Sequence, residues 1–247
     1  MDNAHLSPGS ACTSVLVRQR IERRGEGLWR YDDFRELPFT AVAQALSRLT
    51  KEGALERLSK GTYYRSRQTA FGQSRPNPLA VQNLVARRQA LFPSGLAAAN
   101  HLGFSTQATG RSELATCASS LPRKLIGQET IVHVRRPAAW TKLLQSDAAL
   151  LDFLRNRGET SELRPDETIR KTLALLTEGN RWHRLFACAQ TEPPRVRALL
   201  GALGGQIGKS EKACKRLRES LNPLSKFEFG VFAGLPNARA WQAKERR

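Results

Sequence analysis

The chain has little of what metal sites, disulfide frameworks and membrane spans require. Its 247 residues contain four cysteines, at positions 12, 117, 188 and 214, which are too far apart for a zinc-binding pair or a visible disulfide framework. We therefore expect a reducing, cytoplasmic environment. No stretch approaches the roughly 20 apolar residues that span a bilayer, and the polar N-terminus lacks the apolar core of a signal peptide.

Carboxylates are also scarce, with 22 Asp and Glu against 40 Lys and Arg. No spaced set of carboxylates suits magnesium, and neither a Gly-x-Ser-x-Gly elbow nor a His-Glu-x-x-His helix occurs. The GGQIGKS segment at 204–210 is not a phosphate-binding loop, because Leu203 stands where that loop requires its first glycine. The sequence thus predicts neither an enzyme nor a bound cofactor or metal.

The formal net charge of +18 indicates a polyanionic partner, of which nucleic acid is the most common. The excess is uneven along the chain. Residues 1–72 hold 12 Lys and Arg against 8 Asp and Glu, and residues 73–192 hold 16 against 10. Residues 193–247 hold 12 against 4, so the last quarter of the chain is the most basic.

Residues 32–65 have the order of a winged helix-turn-helix: a short helix, a turn, a second helix and a two-stranded hairpin. The second helix shows one apolar stripe at helical spacing, formed by Val42, Ala45, Leu46 and Leu49. Thr40 is its candidate N-cap, and Gly53 stands where helices end in the left-handed conformation. A Lys60-Gly61 turn before a Thr-Tyr-Tyr run predicts the hairpin.

The other side of the second helix is polar, which favours DNA binding. Arg can bond guanine and Gln can bond adenine in the major groove. We therefore expect Gln44 and Arg48 to read bases, while neighbouring hydroxyl and ammonium groups hold phosphates. The predicted DNA contacts in this region are Thr40, Gln44, Ser47, Arg48, Lys51, Arg57, Lys60 and Tyr63.

The fold class predicted is α+β and mostly helical, in two domains. After a flexible tail at 1–12, the winged helix-turn-helix spans 13–68 and begins with a helix capped by Thr13 or Ser14. The Pro-, Gly- and Ser-containing segment 69–78 is predicted to be a linker, and 79–247 a larger helical domain. That domain is expected to contain a small sheet with strands at 113–118 and 130–134, and to be helical from Trp140 to its end.

A basic amphipathic helix is predicted after Ser210, which can cap it. Its predicted DNA-binding residues are Lys212, Lys215, Arg216 and Arg218. Such a helix can bind phosphates, rest on an acidic protein surface, or simply be solvated.

Four stretches resemble the antitoxin component of AbiE-type (type IV) toxin–antitoxin systems: ALSRLTKEGALERLSKGTYYR, PSGLAAANHLGFSTQ, PPRVRALLGALGGQIG and LNPLSKF. The resemblance covers about residues 13–229, and the second stretch is the most specific. It implies a bacterial repressor whose winged helix binds the operator of its own operon. It also implies that the C-terminal part counters a nucleotidyltransferase-like toxin encoded on another chain.

Two alternatives remain open from the residues themselves. In one, the chain is a protein-binding module whose basic C-terminal region holds an acidic partner. In the other, it binds RNA, which is less favoured because no aromatic-rich sheet motif for base stacking is present. The oligomeric state and the operator are not predictable from the sequence.

Overall fold

The computed structural model describes residues 8–70, 72–77, 90–108, 110–121, 126 and 129–244. The chain is α+β, and these residues form eight α-helices and three small sheets. It divides into an N-terminal unit, Met1–Arg88 with Leu121–Gln128, and a C-terminal unit, Gln89–Ser120 with Glu129–Arg247. The predicted boundary between residues 78 and 79 lies outside the described residues. The grouping of Leu121–Gln128 with the N-terminal unit was not predicted.

The N-terminal unit alternates helices with short strands. In order, its elements are α1 (Pro8–Arg24), β1 (Gly27–Arg30), a 3-10 turn (Tyr31–Phe34), α2 (Phe39–Lys51), β2 (Glu56–Ser59), β3 (Thr62–Arg65), β4 (Gln68–Thr69) and β5 (Gly72–Gln73). The predicted second helix and hairpin are confirmed at α2 and β2–β3. Where a short helix was expected before α2, the chain forms only the 3-10 turn.

Two predicted helix starts are wrong. Helix α1 begins at Pro8 and not at Thr13 or Ser14, so residues 8–12 are helical and not a loose tail; residues 1–7 lie outside the description. Proline is tolerated in the first helical turn, where its missing N–H has no partner to lose. Helix α2 begins at Phe39, directly after Pro38, so Thr40 already lies inside the first turn and caps nothing.

A three-stranded antiparallel sheet in the order β1-β3-β2 closes this unit. The β2–β3 hairpin turns at Lys60-Gly61, and Ser59 pairs with Thr62. The unit's core joins both helices to the sheet and contains Val17, Ile21, Trp29, Phe34, Val42, Ala45, Leu46, Leu49, Leu55 and Tyr63. All four residues of the predicted α2 stripe belong to it.

The segment predicted to be a linker, 69–78, is partly structured. Gln68 pairs with Gln73 and Thr69 with Gly72, which makes β4 and β5 a small hairpin. The Thr69 hydroxyl donates a hydrogen bond to the Gly72 carbonyl at 2.7 Å. The turn residues that suggested a linker therefore also serve this hairpin.

The C-terminal unit places most of its helices after a small sheet. In order, its elements are β6 (Leu91–Pro93), α3 (Gly95–His101), β7 (Glu113–Thr116), β8 (Ile131–His133), α4 (Gln145–Arg155), α5 (Pro165–Thr177), α6 (Arg181–Cys188), α7 (Pro194–Gln206) and α8 (Glu211–Glu219). Strand β7 pairs antiparallel with β6 and parallel with β8. The two predicted strands and the predicted basic helix are confirmed.

Helices α4 and α7 run through the centre of this unit, and their leucines have no solvent exposure. Glycines in α7 allow two tryptophans to approach its backbone. A Cβ at Gly201 would lie 2.1 Å from the Trp241 ring, and one at Gly204 would lie 2.3 Å from the Trp182 ring. The glycine-rich segment at 201–205 is thus explained by helix packing.

The segment after α8 is not a continuous run of helices, contrary to the prediction. Between α8 and residue 244 it forms only short 3-10 turns at Gly230–Gly234 and Arg239–Trp241 and one isolated bridge between Phe227 and Ala243. Phe229, Phe232 and Trp241 are buried in the core, so apolar anchoring and not a regular helix fixes this segment.

Candidate nucleic-acid interface

Helix α2 presents a polar row on the side away from its core stripe. Thr40, Gln44, Ser47, Arg48 and Lys51 are all exposed, as predicted. They recur at intervals of three and four residues, which puts them on one face of a helix. The row is accessible along its whole length, from the first turn of α2 to its last residue.

The β2–β3 hairpin adds two exposed cations, Arg57 on β2 and Lys60 at the turn. The turn depends on Gly61, whose φ of +74° is a conformation that L side chains rarely adopt. The ring of Tyr31 also occupies the space of a side chain there, because a Cβ on Gly61 would lie 2.8 Å from it. Tyr31 and Gly61 together fix the position of the hairpin turn, which carries the ammonium group of Lys60.

These cations are available for a ligand. Within the described ranges, no carboxylate forms an ion pair with Arg48, Lys51, Arg57 or Lys60. Elsewhere in the same unit, Arg18 pairs with Glu52 and Arg20 pairs with Glu36. The polar row and the hairpin therefore carry positive charge that the protein does not neutralise itself.

Tyr63 must be removed from the predicted DNA contacts. Its side chain is only 2% exposed and packs in the core of the N-terminal unit. Its hydroxyl lies 3.2 Å from that of Tyr31. Burial, with the hydrogen bond to Tyr31 as a second cause, raises the pKa of Tyr63 to about 12. Tyr63 supports the hairpin from inside and has no surface with which to touch DNA.

Helix α8 of the C-terminal unit carries the other predicted set, and Lys212, Lys215, Arg216 and Arg218 are all exposed. The Ser210 hydroxyl accepts a hydrogen bond from the Ala213 backbone N–H at 3.3 Å, which confirms the predicted cap. Buried Leu217 anchors the opposite side.

Two of the four α8 cations have an internal contact. Lys215 lies 3.9 Å from Glu219, and the Arg218 guanidinium lies 4.8 Å from the centre of the Trp241 ring. Both contacts leave the charged group exposed, so α8 keeps most of its positive field.

The C-terminal unit also contains two pairs of groups with the chemistry of acid–base residues. His133 Nε2 lies 2.6 Å from Glu113 Oε1, and Ser94 donates a hydrogen bond to buried Asp152 at 2.9 Å. Across the described chain, no group of three or more His, Cys, Asp or Glu is arranged to hold a metal ion. Asp152 is engaged by four donors, which is the arrangement of a structural carboxylate.

One exposed residue beside the polar row was missed from the sequence. Phe39, the first residue of α2, is 65% exposed. Its position directly before Thr40 was the available signal.

None of the helices in the described part of the chain combines the length and the apolarity of a membrane span. Residues 18–140, about half of the chain, match the model of a family of unknown function, DUF6088. A search of curated proteins found no match. Among solved structures, the RV2827C protein from Mycobacterium tuberculosis is 17% identical with a TM-score of 0.43, over 91% of this chain and 85% of that one. A similarity this low carries no argument about fold or function.

Proposed function

We propose that the N-terminal unit is a winged helix-turn-helix that binds double-stranded DNA, and that the protein is a bacterial transcriptional regulator. The observation that supports this most directly is the exposed, unneutralised polar row of α2 beside a hairpin with a basic tip. A helix with such a face fits the major groove, and a hairpin beside it can follow the phosphate backbone.

Within this proposal the side chains divide into two roles. Gln44 and Arg48 bond base edges, since amide and guanidinium groups match adenine and guanine bidentately. The other exposed groups hold phosphates and set the register, and they are Thr40, Ser47, Lys51, Arg57 and Lys60. The first group governs sequence preference and the second governs overall affinity.

The finer proposal is that the protein is the antitoxin of a type IV toxin–antitoxin system, acting in the cytoplasm. It rests on the sequence resemblance alone. The protein would repress its own operon through the N-terminal unit and counter a nucleotidyltransferase-like toxin through the C-terminal unit. A nucleotidyltransferase gene beside the gene for this chain would support this proposal, and its absence would favour a stand-alone regulator.

A second candidate function is supported by α8. Its four exposed cations form a surface that an acidic protein can also occupy, without any DNA. In that case the C-terminal unit is a protein-binding module, and the basic charge of residues 193–247 serves a partner and not a nucleic acid.

The DNA-binding proposal is tested by replacing one residue of each role. A duplex selected by the wild-type protein from a random-sequence pool provides the probe, and fluorescence anisotropy gives the affinities. Arg48→Ala should cost about 1–3 kcal/mol and relax the preference for the selected sequence, whereas Lys60→Ala should weaken all sequences alike.

Arg23→Ala, which removes an exposed cation from α1, is the matched control and should bind like the wild type. If Arg48→Ala and Lys60→Ala both bind the selected duplex as tightly as the wild type, the assignment of α2 and the hairpin to DNA is wrong.

A further inference from the structure

Phe39 is the most exposed of the large apolar side chains in the described part of the N-terminal unit, at 65% against 52% for Val15. In the described part of the unit, Phe34 and Trp29 are almost completely buried. Phe39 also stands at the first position of α2, next to Thr40 of the polar row. An aromatic ring left in water at the start of a proposed recognition helix calls for an explanation.

The ring packs against one aromatic neighbour. Its centre lies 4.8 Å from that of Tyr31 in an edge-on arrangement of 61°. Tyr31 is itself confined, because it packs over Gly61 of the hairpin turn and its hydroxyl contacts that of Tyr63. One edge of Phe39 is therefore covered by the protein, and most of the ring is exposed to solvent.

Most exposed residues next to Phe39 in sequence are polar, namely Arg35, Glu36 and Thr40, and Pro38 is the exception. A protein interface needs a contiguous apolar patch of several hundred square ångströms, which one ring does not supply. A small apolar group within a polar and anionic surface is the better match.

We propose that Phe39 reads thymine by packing against its C5-methyl group in the major groove. This inference rests on the proposed DNA-binding function and adds a specificity residue to it. The thymine methyl is the one apolar group on the major-groove edges, and phenylalanine is among the side chains that contact it. The first residues of a recognition helix are those that reach the base edges. Phe39 is thus an apolar contact at the N-terminal end of α2, separate from Gln44 and Arg48, which lie five and nine residues further along the helix.

The test removes the methyl groups from the DNA. In the duplex selected by the wild-type protein, each thymine is replaced in turn by uracil, which keeps the base pair and lacks only the methyl. The wild-type protein should bind about fourfold more weakly at one or two such positions, which corresponds to one buried methyl. Phe39→Ala should bind the thymine and uracil duplexes equally at those positions, and Phe39→Leu should retain part of the difference.

Arg48→Ala serves as the control that separates the two proposals, because it should weaken binding and keep the thymine–uracil difference. Phe39 is mostly exposed, so Phe39→Ala should melt close to the wild-type temperature, with a small loss from the contact with Tyr31, and circular dichroism checks that it is folded. Equal binding of thymine and uracil duplexes by the wild type would overturn the role of Phe39 and leave the DNA-binding proposal intact. Failure of the wild type to select any duplex would end both proposals.

One further outcome would assign the ring to another role. If Phe39→Ala retains the methyl discrimination but changes the oligomeric state in sedimentation velocity, Phe39 is a contact between copies of the chain and not a base contact. A loss of affinity that is the same for thymine and uracil at every position would also contradict the proposed contact.

Discussion

The two units of the molecule differ in where their paired charges lie. The N-terminal unit keeps its ion pairs at the surface, and the side chains of Arg18 and Glu52 are 46% and 49% exposed. The C-terminal unit buries three carboxylates, those of Asp147, Asp152 and Glu192, whose side chains have no solvent exposure. Each of them holds at least one arginine. Within the described ranges, the exposed cations of α2 and of the β2–β3 hairpin in the first unit have no ion-pair partner, while many arginines of the second unit hold the fold together.

Because of this difference, the net charge of a segment does not by itself show where a polyanionic partner would bind. Residues 73–192 have an excess of positive charge, yet Arg136, Arg155, Arg181 and Arg184 of that stretch are bound to buried carboxylates. Surface cations bind phosphate, but arginines committed to internal pairs do not. The basic surface of the C-terminal unit is therefore best represented by α8.

Asp152 shows how completely a buried charge is satisfied. It accepts hydrogen bonds from Arg136 at 2.6 Å, from the Ser94 hydroxyl and the Gly95 backbone N–H at 2.9 Å each, and from Asn156 at 3.1 Å. Burial lowers the pKa of Arg136, and the neighbouring Asp152 opposes that shift. The carboxylate thus joins α4 to the start of α3 and to the segment after β8.

The largest expected effect follows from removing this carboxylate. Asp152→Ala removes the acceptor of the Arg136 guanidinium and of three other donors in a largely buried position, which typically costs about 3–5 kcal/mol. Urea unfolding of the full chain, followed by far-ultraviolet circular dichroism, should show the loss in the transition of the C-terminal unit.

The matched change in the N-terminal unit is Glu52→Gln, which breaks the exposed pair with Arg18. Exposed pairs contribute only about 0–1 kcal/mol, so its unfolding curve should nearly coincide with that of the wild type. If the two variants lost similar stability, the contrast between the units would be mistaken.

A second and smaller effect concerns pH and the N-terminal unit. The ordinary pKa of tyrosine is about 10, and that of Tyr63 is raised to about 12. Between these values the unfolded chain loses the proton that the folded chain keeps, so stability is intact below pH 10 and falls as the pH rises toward 12. The loss is at most roughly 2–3 kcal/mol.

Tyr63→Phe removes the titrating group, and its unfolding free energy should fall less steeply between pH 10 and 12 than that of the wild type. The slopes of unfolding free energy against pH are compared, and not the absolute values, because the substitution also deletes the hydrogen bond to Tyr31 at every pH. Parallel slopes for the wild type and the variant would show that Tyr63 is not the group responsible.

Sequence patterns were sufficient to predict the elements whose structure depends on a few adjacent residues. The Lys60-Gly61 turn and the three-and-four spacing of α2 each depend on a few adjacent residues, and both were predicted. Tyr63 was placed wrongly because its burial is not local. Strand β3 is the central strand of the order β1-β3-β2, and Tyr63 packs in the core on one face while Tyr64 bonds Glu26 on the other. An alternating pattern does not reveal which strand is central.

The buried carboxylates were also beyond prediction. Asp147 and Asp152 stand on a mainly apolar helix, where a polar residue is normally assigned to the solvent side. Most of their partners come from positions 16 to 58 residues away, such as Arg136, Ser94 and Arg181. Only the fold brings these groups together, so no spacing in the sequence predicts them.

The smallest expected effect tests whether α8 binds DNA or a protein. A winged helix alone makes few phosphate contacts, and residues 193–247 carry more of the charge, so we expect α8 to bind flanking DNA phosphates. Each phosphate contact adds about 0.9 to the slope of log affinity against log salt. Changing Lys212, Lys215, Arg216 and Arg218 together to Gln should lower that slope by about two or more, or about tenfold in affinity over a threefold rise in salt.

The control is the double change of Arg164 and Arg170 to Gln, which removes exposed cations of the same unit that already pair with Asp166 and should leave the slope unchanged. An unchanged slope in the α8 variant would contradict DNA contact by this helix. If that variant also lost protection against a toxin in cells, α8 would be the protein-binding surface. The unneutralised charge of the C-terminal unit would then serve a protein, and α2 with its hairpin would be the only reader of DNA.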